Sequence, residues 1–467
     1  LGYISQVGIA TAEKKLANTA DGAADHIAWG FGGWMASNNS SVSKYQVNVG
    51  GSGGDNWVAQ PASGDVLGIA YDADNGKLWF AKNGTYQNTS GTANPATGAD
   101  PRASSLTGKE WFPLYAGYPE GSPNYIMNFG QDSAFAGTET AQGNTDENGI
   151  GDFYYAPPSG FLAICTANLP EVTIGPNSAT QADDYFNTVL YTGSGSSPNA
   201  ITGVGFQPDW VWIKKRSAAI SHAIFDSSRG VTSAGATNKA LGSDRTDAEG
   251  NGNGGLSAFG SDGFTLVDGT SGSYPRSLVN DSATYVAWNW KANGGTATAT
   301  ISESGNNPAA VVQANPTAGF SLITYTGTGA LGTIAHGLGA VPKWMIIKNR
   351  DATDAWNVFH SSKGNTHAFY LNLTQTPDDN TSFWNDTSPT SSVFTINTDH
   401  GVNADGEKYV AYVFAEVEGY SKFGSYIGNG VTSGDGTFAF LGFRPAWIMI
   451  KNMLIWNMQI LCQFLVI

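Results

Sequence analysis

Six histidines and two cysteines carry the most distinctive chemistry in this chain: His26, His222, His336, His360, His367 and His400, with Cys165 and Cys462. His360 and His367 stand seven apart, but no Glu is placed as a metalloprotease helix requires. The cysteines lie in distant parts of the chain and form neither a disulfide ladder nor a zinc-type pair. No G-x-S-x-G nucleophile elbow is present. Glu416 and Glu418, in FAEVEG, are two apart and on a strand would point to one face, the arrangement a sandwich-fold hydrolase or lyase would use. The corresponding strand of the preceding repeat reads AWNWKANG and has no carboxylate, so solvent-facing strand residues explain the pair more simply. DENGIGD (146–152) has the acidic, Gly-turned look of a calcium loop but lacks its ligand alternation and closing Glu; it reads as a solvated turn. GNGNGG (250–255) has no Lys-Ser/Thr and no helix after it, so it reads as a loop and not a phosphate cradle. No metal and no cofactor are expected. Aromatic residues in Gly-rich loops remain as candidate ligand contacts: Trp29 and Trp34 in AWGFGGWMASNN, and Tyr118 in AGYPEGSPN. Burial in a core is the competing reading for each.

The elements that must position these residues are short. Among 467 residues are 60 Gly and 19 Pro, and only 13% are charged, against about 25% in an average domain. Aromatics reach 12%, including 14 Trp, so there is ample material for packed cores. This composition excludes a coiled coil, a disordered tail and a collagen-like chain. Helical periodicity is nowhere sustained beyond a turn or two. VLGIAYDADNGKLWFAKNGTY (66–86) instead alternates as strand, turn, strand, with Asn83-Gly84 supplying the positive φ angles of a tight hairpin. The fold class is therefore all-β, as antiparallel β-sandwiches in series. A net charge of −15 without a cluster of Lys and Arg argues against nucleic acid as the ligand. The apolar 453–467 is shorter than the about 20 residues of a membrane span and carries Asn and Gln, so membrane insertion is not expected. The start lacks both an initiator Met and a signal peptide, and the chain is expected to begin inside a longer polypeptide.

Near Pro157-Pro158 the pattern changes, and a first domain is placed at 1–175. Beyond it the chain repeats itself. FQPDWVWIKKRSA, AVPKWMIIKNRDA and FRPAWIMIKN share Pro, one residue, Trp, three apolar or aromatic residues and Lys. Each follows a Tyr-containing, Gly-rich strand, and the first two repeats close on TYVAWNWKANGG and KYVAYVFAEVEG. The Trp residues recur more than a hundred residues apart, the size of β domains and not of solenoid units. Repeat domains are expected at 176–300 and 301–418, with an incomplete third at 419–467, truncated or frame-shifted at its end or closed by its own terminal strand. The Pro-x-Trp strands read as buried on both faces, and the trailing Lys as a strand-end charge in solvent.

SGDVLGIAYDADNGKLWFAKNGTY (63–86) resembles the central signature of SPRY domains, and WFPLYAGYPEGSPNYIMNFGQDSAF (111–135) resembles their later Phe-Pro strand and closing Asn-Phe-Gly-Gln. The resemblance covers about the first 135 residues and implies a bent, concanavalin A-like β-sandwich that binds partners through loops and performs no chemistry. PPSGFLAICTANLPE (157–171) is similar to the segment after SPRY domains in marine bacteriophage proteins, and the later repeats resemble a β domain of phage virion and tail-fibre-like proteins. The implied role is a non-enzymatic structural or adhesion protein, a tail fibre, appendage or capsid decoration. Its expected place is the virion or the extracellular space. The expected partners are a host-surface glycan or protein, other virion proteins and further copies of the chain. A polysaccharide hydrolase or lyase, and a scaffold without ligand, are the alternatives.

Overall fold

The computed structural model describes residues 3–11, 28–35, 64–87, 91–107, 111–116, 126–168, 172–175, 178–231, 239–250, 254–267, 276–428, 439, 441–452 and 461–466. The protein is all-β, with antiparallel sheets and helices of a single turn. It divides into two compact units, Leu1–Pro170 and Glu171–Ile467.

In the first unit, β1 (Tyr3–Thr11), β2 (Ala28–Met35) and β6 (Trp111–Ala116) make one sheet in the order β2-β1-β6. β3 (Leu67–Asp72), β4 (Lys77–Lys82) and β5 (Thr85–Gln87) make a second as a meander. The Asn-Gly turn between β4 and β5 has φ of 51° at Asn83 and 76° at Gly84, the conformation its residue types favour. Ile9 from the first sheet packs with Leu78 and Phe80 from the second, with Trp111 against them. Farther along, Asp146 accepts from the amides of Ile150 and Ala163 at 2.9 Å and from Asn168 Nδ2 at 2.7 Å. The candidate calcium loop is thus a turn whose carboxylate already binds protein donors.

The second unit contains the repeats. The first comprises β7 (Phe186–Thr192), β8 (Asn199–Thr202), β9 (Trp210–Lys215), β10 (Ala223–Asp226), β11 (Gly255–Gly260), β12 (Gly263–Val267), helix α1 (Arg276–Val279) and β13 (Thr284–Trp290). The second begins with β14 (Ala299–Ile301) and β15 (Ala310–Asn315) at one sheet edge. It continues as β16 (Phe320–Thr326), β17 (Gly332–Ala335), β18 (Pro342–Asn349), β19 (Trp356–His360), β20 (His367–Tyr370) and β21 (Asp378–Asp379). Helix α2 (Thr381–Trp384), β22 (Val393–Ile396), helix α3 (His400–Asn403) and β23 (Lys408–Ala415) complete it. The third has β24 (Lys422–Ile427), β25 (Ile448–Asn452) and β26 (Leu461–Val466).

The repeated sequence produces repeated topology. The order β10-β9-β13-β7 recurs as β19-β18-β23-β16 inside an eight-stranded sheet, and its three-strand core recurs as β25-β26-β24. The register is conserved too: Tyr285 pairs with Tyr191, Tyr409 with Tyr325 and Cys462 with Tyr426. β26 thus fills the slot of β13 and β23. The paired tyrosines stack, with centroids 5.1 Å apart in the first repeat and 5.0 Å in the second. Tyr191 and Tyr325 donate to the carbonyls of Val279 and Val402, at the ends of α1 and α3. The Gly of each Tyr-x-Gly follows from this closeness. A Cβ on Gly193 would stand 1.9 Å from Asp281 O, and one on Gly327 2.1 Å from Ala404 O.

Each Pro-x-Trp strand presents two apolar faces, as the unbroken apolar run implies. One face of the first two repeats meets its own second layer. β8-β12-β11 covers Val211 and Ile213, while β17 and β22 with the flanking helices cover Met345 and Ile347. The other faces of all three repeats converge on one core. Trp210 stacks on Tyr412 at 4.5 Å, Trp290 meets Trp447 at 5.4 Å and Trp344 meets Phe423 at 6.3 Å, so every pair of repeats is in contact. Residues read as successive domains therefore form one interlocked unit. The trailing lysines also differ from expectation. Lys348 is fully buried and bends back to the carbonyls of Asn349 and Ala352; burial lowers its ammonium to about 8. Lys214 makes the same return, to Lys215 O and Ala218 O.

Candidate functional site

Trp29 and Trp34 lie in strand β2 and not in a loop; their backbone partners on β1 are Ile9 and Ile4. Tyr118 lies outside the described residues. Glu416 and Glu418 are not strand neighbours, because β23 stops at Ala415 and a turn follows. Glu416 pairs with Lys422 at 2.9 Å and accepts from Phe423 N at 3.4 Å. A carboxylate neutralised by its own turn is a poor proton donor or nucleophile. Sequence spacing missed this because it does not show where a strand ends.

The histidine pair separates as well. His360 is buried, its Nδ1 2.8 Å from Ser362 Oγ, whereas His367 Nδ1 lies 2.6 Å from Thr366 Oγ1. The best-formed constellation is one that spacing does not announce. At the end of the second repeat, half-exposed His400 opens α3 with Nδ1 2.8 Å from Asp354 and Nε2 3.3 Å from Glu407. Asp354 comes from the loop after β18, and Glu407 from the turn before β23. Asn349 ties the group together, donating to Glu407 and, at 3.3 Å, to the carbonyl of His400. The hydrogen bond to Asp354 holds the imidazole above its usual pKa, and the charge of Glu407 adds to this against partial desolvation. A carboxylate on each ring nitrogen favours the protonated imidazole of His400 over the free base.

A second polar cluster is buried between the first two repeats. Arg229 binds Asp226 through Nε and donates to the carbonyls of Lys239 (2.6 Å) and Ile224 (3.2 Å). Asp226 also accepts from Tyr412 of the second repeat at 2.7 Å, and Glu249 accepts from Arg350 Nε at 2.6 Å. Burial disfavours the Glu249 charge, but Arg229 and Arg350 outweigh it and hold the carboxyl at about 2. Asp209, fully buried, takes donors from Ser227 Oγ and from the amides of Ala292, Gly294 and Gly295 at 2.6–2.8 Å. Each carboxylate has its lone pairs assigned to framework donors, so these groups orient backbone and hold repeats together.

Among the described residues no group of three or more His, Cys, Asp or Glu is placed to hold a metal ion, and no helix is long and apolar enough to cross a membrane. No curated protein and no solved structure matches the chain. A family model does match, over residues 181–459, the stretch from β7 to β25 of the interlocked repeats, and the chain belongs to that family, the domain of unknown function DUF7483.

Proposed function

We propose that this chain is a non-enzymatic structural and adhesion protein of a bacteriophage particle, a tail fibre, appendage or capsid decoration. In this reading its β-sandwiches are displayed outside the cell and bind a glycan or protein of the host surface. The observation that carries it is the use made of the charged groups. Asp209, Asp226, Arg229 and Glu249 are spent on backbone and inter-repeat bonds, and His400 and Glu416 are neutralised by neighbours. The tight Asn83-Gly84 hairpin and the meander around it support a SPRY-like reading of the first unit. Loops on such a sandwich make weak contacts, which many copies on one particle convert into avidity gains of about 10²–10⁴.

Binding of the purified chain to host cells and to immobilised surface glycans tests this. Trp29→Ala and Trp34→Ala test the candidate contacts: loss of binding in at least one of them, with the fold retained, is expected. Absence of binding at micromolar concentration overturns the adhesion reading. Reducing-end release from polysaccharide that disappears in Glu416→Gln overturns the non-enzymatic one.

A further inference from the structure

One tryptophan of the shared core is held by a group that titrates. Trp212 on β9 is buried in the core to which all three repeats contribute. Its ring lies edge-on to Trp288 at 6.1 Å and to Trp447 of the third repeat at 6.4 Å. An indole nitrogen can only donate, so a buried one needs an acceptor. Trp212 Nε1 finds it in Nδ1 of His222, 2.8 Å away and just ahead of β10. That bond fixes the state of the imidazole: Nδ1 is bare, and the single ring proton sits on Nε2.

The second repeat builds the same place differently. Ile224 pairs with Trp212 across β10 and β9, and Val358 pairs with Ile346 across β19 and β18, so Trp356 stands where the first repeat has His222. Trp356 is fully buried in the same core and donates its N–H to the carbonyl of Gly242 at 2.8 Å. A carbonyl accepts at any pH, whereas Nδ1 accepts only while it carries no proton. The tryptophan bond of the first repeat is therefore the acid-labile one of the two.

The charged groups that act on His222 are Asp244 and Lys214. Burial pushes the imidazole below its usual pKa, against the carboxylate of Asp244 and with the ammonium of Lys214. Both neighbours are engaged: Asp244 accepts from His222 N at 3.0 Å, and Lys214 donates to the carbonyls of Lys215 and Ala218. Asp244 belongs to the segment 239–250, which also receives Trp356 at Gly242 O and Asp354 N at Thr246 O, so the histidine stands where the first repeat is tied to the second. We propose that His222 is an acid-sensitive latch on the shared core, holding the Trp212 indole while neutral and releasing it when protonated at Nδ1. Protonation sets one N–H against another, the bond opens, and the seating of Trp447 with its repeat loosens. The sign follows from linkage. The unfolded chain takes up this proton more readily than the folded one, so the contribution of His222 is complete above 6.5 and is lost as pH falls through the lower folded value.

Nuclear magnetic resonance of the full chain with isotope-labelled tryptophan tests the proposal between about pH 8 and about pH 5, a range that brackets histidine titration. The indole N–H signal of Trp212 is the one missing from Trp212→Phe. In the parent it should move with a midpoint below 6.5, and in His222→Gln it should stay fixed, because an amide oxygen accepts the same N–H without titrating. Hydrogen exchange reads the second half of the proposal. At about pH 5 the amides of β25 should be less protected in the parent than in His222→Gln, and at about pH 8 equally protected. Comparison at the same pH removes the contribution of His400. If His222→Gln lacks the native near-ultraviolet circular dichroism spectrum, Trp212→Phe replaces it: with no indole N–H to release, its β25 protection should fall less between the two pH values than that of the parent. A Trp212 signal indifferent to pH, or one that titrates unchanged in His222→Gln, overturns the proposal. So does β25 protection at about pH 5 that is the same in parent and variant.

Discussion

At the scale of single residues, two ionisable groups give the second unit opposite responses to pH. Glu249 is held at about 2 in the folded state, against 4.5 as its ordinary value. A depressed carboxyl contributes stability that is present above the unfolded pKa and lost as pH falls through the folded one. Urea unfolding between about pH 5 and pH 2 should therefore show a steep loss of stability in the parent, and a shallower one in Glu249→Gln. His400 has the reverse sign. Its pKa is raised by Asp354, so its contribution is complete below the unfolded value of 6.5 and declines as pH rises through the folded value. The melting-temperature difference between the parent and His400→Gln should be larger at pH 5.5 than at pH 8.5, at low salt, with both pH values chosen to bracket roughly that transition. An equal difference at both would mean that the imidazolium is not what Asp354 and Glu407 hold.

At the scale of elements, a strand-to-helix-end contact is built twice, and its glycines are exacting positions. A methyl on Gly327 would stand 2.1 Å from Ala404 O, a contact that only movement of the backbone can relieve. Gly327→Ala should cost about 1–3 kcal/mol in denaturant unfolding, the range for overpacking, and Gly193→Ala should cost a similar amount. Gly406→Ala tests a different cause: nothing lies within 4 Å of its added methyl, and its φ of 74° alone is strained. It should cost less than Gly327→Ala. The hairpin at Asn83-Gly84 and the repeats were legible in the sequence because turn chemistry and motif spacing are local. The cover on each strand face was not. VWIKK reads as buried on both sides whether its partners are one neighbour or two, and nothing in it distinguishes a private second layer from a core shared among three repeats. The lysine after it illustrates the same limit, since Lys348 looks like a strand-end charge until the carbonyls of Asn349 and Ala352 are seen to receive it. The candidate site was legible only in part. Trp29 and Trp34 could be singled out by type, but their place in a strand depends on the backbone pairing of β2 with β1. The His400 group joins residues from three connections that no spacing rule links.

At the scale of the whole molecule, the first unit and the interlocked second unit pose different folding problems. In the first, a local meander and a sheet in which β6 returns to pair with β1 close a small core around Leu78 and Phe80. In the second, the tryptophan of each repeat is a structural member of the others. Trp447 makes the sharpest test, because its own repeat is the smallest while its ring lies against Phe186, Trp212, Trp288 and Trp290 of the first. If the repeats were independent domains, Trp447→Ala would unfold β24, β25 and β26 and spare the rest. With a common core, the substitution opens a cavity that the first repeat feels equally. It should lower the stability of the entire second unit by about 3–5 kcal/mol within one cooperative transition. Hydrogen exchange followed by mass spectrometry separates these outcomes. Amides of β9, β13 and β23 should lose protection together with those of β25, by the same free energy, because opening any one sheet exposes the tryptophans of the others. Loss confined to β24, β25 and β26 would instead mean that the third sheet rests on a core that the first two repeats complete without it.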